Sequence, residues 1–172
     1  NALATLRLRR KFPDRLERIG VMCSPALGDT LLFSAVFADV RAYFPKKQLI
    51  YFFTPQSMAA AILIPGADKR VVIEMTKPLD TIITLRNEKL DILIDFSSWQ
   101  RLTAFYSLLS GSRFTAGFRT AGQYRHRGYD KVVEHRSDCH ELENYRSLAT
   151  SLGIAVGSPP YLEPPEVPTP EV

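Results

Sequence analysis

The chain has 172 residues, 45% hydrophobic and 23% charged, with a formal net charge of +4. That length and balance suit one globular domain with a full hydrophobic core. No run approaches the roughly 18–20 apolar residues of a membrane span, and the opening Asn1–Thr5 segment lacks the continuous apolar stretch of a signal peptide. Cys23 and Cys139 lie far apart and outside any metal-ligand spacing, which points to a reducing, cytoplasmic setting without a structural disulfide.

The modest net charge hides two basic blocks. Residues 7–18 carry six Lys/Arg against Asp14 and Glu17, and residues 113–136 carry six against Asp130 and Glu134. Each block has a net +4 and the rest of the chain a net −4. Such patches attract phosphates or anionic lipid, or simply keep a surface solvated.

In chain order, Arg18–Cys23 is a short apolar run that breaks at a turn-rich Ser24-Pro25-Ala26-Leu27-Gly28 loop, as a buried parallel strand does. From Thr30 to Phe44 the period becomes helical, with Leu32, Ala35, Val36, Val40 and Tyr43 on one face, and Pro45 stops it. Gln48–Phe53 is a second strand. Thr54 is predicted to cap a helix with Pro55 at its first position, ending near Pro65-Gly66. Arg70–Met75 is a third strand, 79–88 a third helix and Asp91–Asp95 a fourth strand. Ser97 and Ser98 are predicted to cap a helix from Trp99 to Leu109. Arg113–Phe118 is a fifth strand, 119–130 a polar loop and Lys131–Glu134 a sixth strand. Asp138 and Glu141 fit a capping box for the last helix, which Gly153 ends.

This alternation predicts an α/β, Rossmann-like parallel sheet with helices on both faces. In such sheets ligands bind beyond the carboxyl ends of the strands, here the loops at 24–29, 54–56, 95–100 and 118–127. The last segment, Ser158–Val172, holds six of the twelve prolines and reads as an extended linker.

Three of these loops carry groups suited to chemistry. Gly28 leaves room for backbone to approach a ligand, and Asp29 opens the following helix, where the helix dipole favours a carboxylate. A carboxylate there can take a proton from a sugar hydroxyl, although Asp is also a common N-cap that needs no catalytic reason. In Asp95–Arg101, the polar side chains of Ser97, Ser98 and Gln100 suit a sugar and Trp99 offers a flat face. A serine cap with a core tryptophan is the plain alternative. In Phe118–Arg127 the arginines suit phosphate, or a solvated surface loop. G-x-G-x-x-G and G-x-x-x-x-G-K-[ST] are both absent, so no nucleotide-phosphate loop is read from the residues, and nothing points to nucleic acid. The three histidines have no metal spacing.

Several segments together resemble glycosyltransferase family 9, the heptosyltransferase type. Ile19 to Leu32 resembles that family's opening, a strand running into an L-G-D motif and a helix that leads to Phe-Pro, here Phe44-Pro45. Asp91–Ser98 resembles its Y-D-x-x-I-D-x-x-x segment, and Ser110–Arg119 its S-G-x-x-x-R-x-G-F segment. His140 with Leu148 and Leu152-Gly153-Ile154 resembles its H-x-x-x-x-x-x-x-L-x-x-L-G-I helix. The match covers about residues 18–155 in order. It departs from the family at Ser24-Pro25-Ala26, where small hydroxyl residues are common, and at Phe96–Trp99, where Leu-Gln-Gly is common.

The resemblance implies the N-terminal half of a two-domain GT-B glycosyltransferase. That half holds an acceptor, a phosphorylated sugar or lipid-linked glycan such as the lipopolysaccharide core. A C-terminal half, with no counterpart in this chain, would hold a nucleotide-sugar donor such as ADP-heptose. No metal or cofactor is implied. Asp29 maps to the family's proposed base. The expected acceptor-binding set is Ser24, Gly28, Thr30, Ser97, Ser98, Gln100, Arg101 and Arg119. The expected organisation is a basic extension over 1–17, an acceptor-side domain over 18–155 and a linker over 156–172. On this reading the chain alone transfers nothing, and the alternative is a non-enzymatic carbohydrate- or phosphate-binding module of the same fold. Leu3, Leu6, Leu8, Phe12 and Leu16, interleaved with cations, predict attachment of residues 1–18 to the cytoplasmic membrane face.

Overall fold

The computed structural model describes residues 10–23 and 27–164. Six strands form one sheet: β1 (Arg18–Met22), β2 (Gln48–Phe53), β3 (Lys69–Val72), β4 (Ile92–Asp95), β5 (Phe114–Arg119) and β6 (Lys131–Glu134). Their order is β3-β2-β1-β4-β5-β6, and every neighbouring pair is parallel. The chain starts in the middle, winds out through β2 and β3, then crosses back to β4 and winds out the other way. Met22 lies level with Phe52 and with Asp95, so the three central strands end together. The reversal of direction puts a switch-point crevice between β1 and β4, the usual ligand position in a doubly wound sheet.

The connections are α1 (Leu27–Tyr43), a short 3-10 turn (Pro55–Ser57) into α2 (Met58–Ala61), α3 (Pro78–Asn87), α4 (Arg101–Leu109), a second 3-10 turn (Arg125–Gly128) and α5 (Glu141–Ser151). Alternate strand residues point to opposite faces. Ile19, Val21, Leu49, Tyr51 and Ile94 pack with α1 and α5, whereas Met22, Ile50, Phe52 and Leu93 pack with Leu85 of α3 and Tyr106 of α4. Because both faces are covered, the central strands are apolar almost throughout.

The buried face of α1 is Phe33, Val36, Phe37 and Val40 at helical spacing. It is rotated from the sequence expectation: Tyr43 is exposed and Leu32 only partly covered. Phe33 meets Phe96 at 5.3 Å and Tyr51 at 5.4 Å between ring centroids. Aromatic burial of this kind contributes about 1.5–3 kcal/mol per side chain, which outweighs a simple count of apolar residues on the helix. On the other face, β5 has a close neighbour instead of a full helix. A Cβ on Gly117 would lie 2.4 Å from the Tyr129 ring, and one on Gly128 2.4 Å from the Ala104 carbonyl oxygen, so glycine is required for both approaches.

Four local expectations are corrected. Helix α1 begins at Leu27 rather than Thr30, which puts Asp29 in its first turn rather than at its cap. Thr54 makes no side-chain cap bond, although Pro55 does open the turn. Helix α4 begins at Arg101 after Gln100, which also makes no cap bond; Ser97, Ser98 and Trp99 lie outside the helix. The Asp138 capping box does not form, because Arg136 takes the Asp138 carboxylate at 3.0 Å. His140 is the N-cap instead, its Nδ1 accepting from Leu142 N–H.

Residues 10–17 and 156–164 run back over the domain. Arg10 forks onto the buried Asp130 carboxylate, with contacts of 2.8–3.2 Å, and Phe12 packs edge-on against Phe114. Gly157 and Ser158 donate their N–H groups to Asp39 of α1, Tyr161 N–H to Ser34 Oγ, and Glu163 N–H to the Leu63 carbonyl. Prolines 159, 160 and 164 need no N–H partner there, which suits an extended strap across a helix.

Candidate functional site at the carboxyl ends of the strands

Asp29 lies in the first turn of α1, above the end of β1. No hydrogen-bond donor among the described residues reaches its carboxylate, and its neighbours act through charge alone. Partial burial lifts its pKa above the usual Asp value; Glu141 lifts it further, and His140 opposes them. The first turn of a helix has free N–H groups and favours an anion. The site therefore offers a carboxylate at a crevice, without a hydrogen bond from a described residue and with its affinity for a proton raised.

Across the crevice stands the start of α5. Glu141 Oε2 accepts from His135 Nε2 at 2.8 Å and from Asn144 Nδ2 at 3.1 Å. His135 is clamped edge-on between Trp99 and Phe118, at centroid distances of 5.6 and 5.7 Å. Cys23 lies beneath, fully buried; burial and then the nearby Asp95 push its thiol far up, so it stays protonated.

The floor is fixed by a second aspartate. Asp95 is fully buried at the end of β4. Its Oδ2 accepts from Tyr129 OH at 2.6 Å and Arg125 Nη2 at 3.0 Å, and its Oδ1 from Ser97 N–H at 2.9 Å. Burial opposes charge on Arg125, but Asp95 and Tyr129 outweigh it and hold the guanidinium charged. Tyr129 is pushed up, first by burial and then by Asp95. This cluster ties the β4–α4 loop to the β5–β6 connection. The polar loop expected over 119–130 is thus anchored, and Arg125, expected at the surface, is one of the largest fully buried side chains.

The remaining candidates divide. Ser24 lies outside the described residues. Gly28 is exposed, with open space where a Cβ would stand. Thr30 is buried, in the first turn of α1. Ser97 and Ser98 are buried, and the Ser98 carbonyl accepts from Thr120 Oγ1. Gln100 is half-buried, and Trp99 is 56% exposed at the rim. Arg101 is exposed and bonds Gln123 Oε1 and the Gly122 carbonyl, each at 2.9 Å. Arg119 pairs with Glu134 at 3.0 Å. Around Asp29, the neighbours Glu141 and His140 and the clamped His135 were not in the expected set. Among the described residues no group of three or more His, Cys, Asp or Glu could hold a metal.

A doubly wound parallel sheet with a carboxylate at its switch point defines the class as a Rossmann-like α/β domain. No family model matches the chain, and no curated protein matches it in sequence. Solved structures do. Its fold is similar to that of the E. coli heptosyltransferase WaaC with ADP, with a TM-score of 0.68 at 17% identity over 81% of this chain and 48% of that one. It is similar to a family 9 glycosyl transferase from Veillonella parvula, with a TM-score of 0.69 at 18% identity over 87% of this chain and 46% of that one. E. coli ADP-heptose lipopolysaccharide heptosyltransferase II gives 0.67 at 17% identity over 87% and 47%. The chain has a family 9, heptosyltransferase-like fold, and it spans about half the length of these structures.

Proposed function

We propose that this chain is the acceptor-binding, N-terminal half of a glycosyltransferase. The full enzyme moves heptose, or a related sugar, from a nucleotide-sugar donor to the lipopolysaccharide core or a similar surface glycan. The observation that carries this reading is Asp29: a carboxylate without a hydrogen-bond partner among the described residues, its pKa raised, at the switch point of a heptosyltransferase-like fold. In the reaction, Asp29 takes the proton of the attacking acceptor hydroxyl. The hydroxyl oxygen bonds the anomeric carbon as the bond from that carbon to the diphosphate breaks, and the nucleoside diphosphate leaves. A base raised toward the working pH holds a transferred proton better than an ordinary carboxylate. Trp99 at the rim gives the acceptor a flat apolar face, and Arg101 and Arg119 near the same loops attract its phosphates.

A second domain beyond the 156–172 linker supplies the donor site. Holding both substrates together is what makes transfer fast, so the 172-residue chain alone binds acceptor and transfers nothing. Calorimetric titration separates the parts of this claim. Weak binding of a phosphorylated core oligosaccharide, without binding of ADP or ADP-heptose, is expected. Tight ADP binding by the chain, or no acceptor binding at millimolar concentrations, overturns the assignment of halves.

A further inference from the structure

On the face of the sheet that carries α4, a groove of about 160 Å³ runs between that helix and the β5–β6 connection. Arg101, Phe105 and Leu108 form one wall, at the i, i+4, i+7 spacing of a single helix face. Tyr124, 65% exposed and held in the left-handed region at φ 54°, forms the other wall with Arg127, whose guanidinium lies 5.6 Å from the tyrosine ring centre. Arg101 bonds Gly122 and Gln123 and ties the two walls together. Phe105 and Leu108 are 46% and 37% exposed, so the groove shows water an apolar strip.

Its charge is as unusual as its exposure. From Phe96 to Tyr129 the chain has five arginines and not one carboxylate. Arg113 is matched by Asp91, Arg119 by Glu134 and Arg125 by Asp95. Arg101 and Arg127, the two cations on the groove walls, pair with no carboxylate among the described residues, and Arg125 beneath them keeps Nε and Nη1 without an acceptor. A small anion would have no use for Phe105 and Leu108. An apolar peptide would strip water from two unmatched guanidinium groups, at a cost. An anionic bilayer surface satisfies both halves: ring and aliphatic groups sit at headgroup depth while the arginines meet lipid phosphates.

We infer that the α4 groove, through Phe105, Leu108, Tyr124, Arg101 and Arg127, docks the protein on an anionic lipid surface. No helix among the described residues is long and apolar enough to cross a membrane. The groove shares Arg101 with the proposed acceptor site and is a separate contact from the one expected for the N-terminal segment, whose Leu3, Leu6 and Leu8 lie outside the described residues. The described end of that segment lies on the domain, with Arg10 on Asp130 and Phe12 on Phe114.

Co-sedimentation with vesicles of phosphatidylcholine alone, and of phosphatidylcholine with phosphatidylglycerol, tests this. The probes are the 172-residue chain, Phe105→Ser with Leu108→Ser, and Arg101→Gln with Arg127→Gln. All retain residues 1–9, so a loss cannot come from the leader. The expected result is binding to the anionic vesicles that weakens with salt and falls at least ~10-fold in the arginine pair, with a comparable fall in the apolar pair. The arginine pair keeps the apolar strip and all buried groups, and so reads out even if the serine pair misfolds. Unchanged binding in the arginine pair overturns the inference. So does equal binding of the wild-type chain to neutral vesicles, or a salt-resistant dimer that the serine pair abolishes.

Discussion

Two aspartates follow neighbouring central strands and have opposite roles. Asp95 closes β4 fully buried, with its oxygens filled by Ser97, Arg125 and Tyr129. Asp29 follows β1 in the first turn of α1, partly exposed, with like charge nearby and no hydrogen bond from a described residue. Both lie near the switch-point crevice, so position alone does not separate them. What separates them is how much of the carboxylate's bonding capacity the fold consumes. Asp95 is spent on holding two loops together, whereas no described residue donates to the Asp29 carboxylate.

The largest effect expected from this contrast is on stability. Arg125→Met leaves the Asp95 charge buried without its ion partner and should destabilise the domain by about 3–5 kcal/mol, read by urea unfolding. Tyr129→Phe removes only one donor to the same carboxylate, and about 1–3 kcal/mol is expected. Should both unfold like wild type, the Asp95 cluster does not anchor the loops. Arg119→Gln breaks an exposed pair with Glu134 and should cost less than about 1 kcal/mol; a larger drop would show that the β5 and β6 ends depend on it.

The Asp29 side is sharpened by pH. Its folded pKa is raised, by burial first and by Glu141 second. If Asp29 must be ionised to act, turnover of the full enzyme rises with pH through a limb above the ordinary Asp value. Glu141→Gln removes a negative neighbour, so Asp29 loses its proton more readily and that limb moves to lower pH. A limb that stays in place, or moves up, means that Glu141 does not set the state of Asp29.

Much of the fold was legible because central parallel strands leave continuous apolar runs. Ile19–Met22, Leu49–Phe53 and Ile92–Ile94 could be placed without any partner in view. The place of Asp29 after β1 was legible as well, although α1 begins at Leu27 and takes it into the first turn. Arg125 was not. It lies in a stretch rich in Arg and Gly that resembles a solvated loop, and its partner Asp95 is 30 residues away, so only tertiary pairing explains its burial. The caps failed for a related reason. Asp138 and Ser97 have the right chemistry for a helix start, but Arg136 takes the Asp138 carboxylate, and Ser97 lies before the Gln100 N-cap with its N–H given to Asp95. Gly117 gave no sign that the Tyr129 ring would press on it.

Asp29 is proposed to act on a proton and not merely to start a helix. Asp29→Asn in the full-length enzyme tests this most directly, with turnover and melting temperature measured together. Asn keeps the side chain's shape and loses only a first-turn charge worth about 0.3–1 kcal/mol, so stability should stay near wild type. A fall in turnover of at least ~100-fold at that unchanged stability is expected. Turnover within a few-fold of wild type would contradict it.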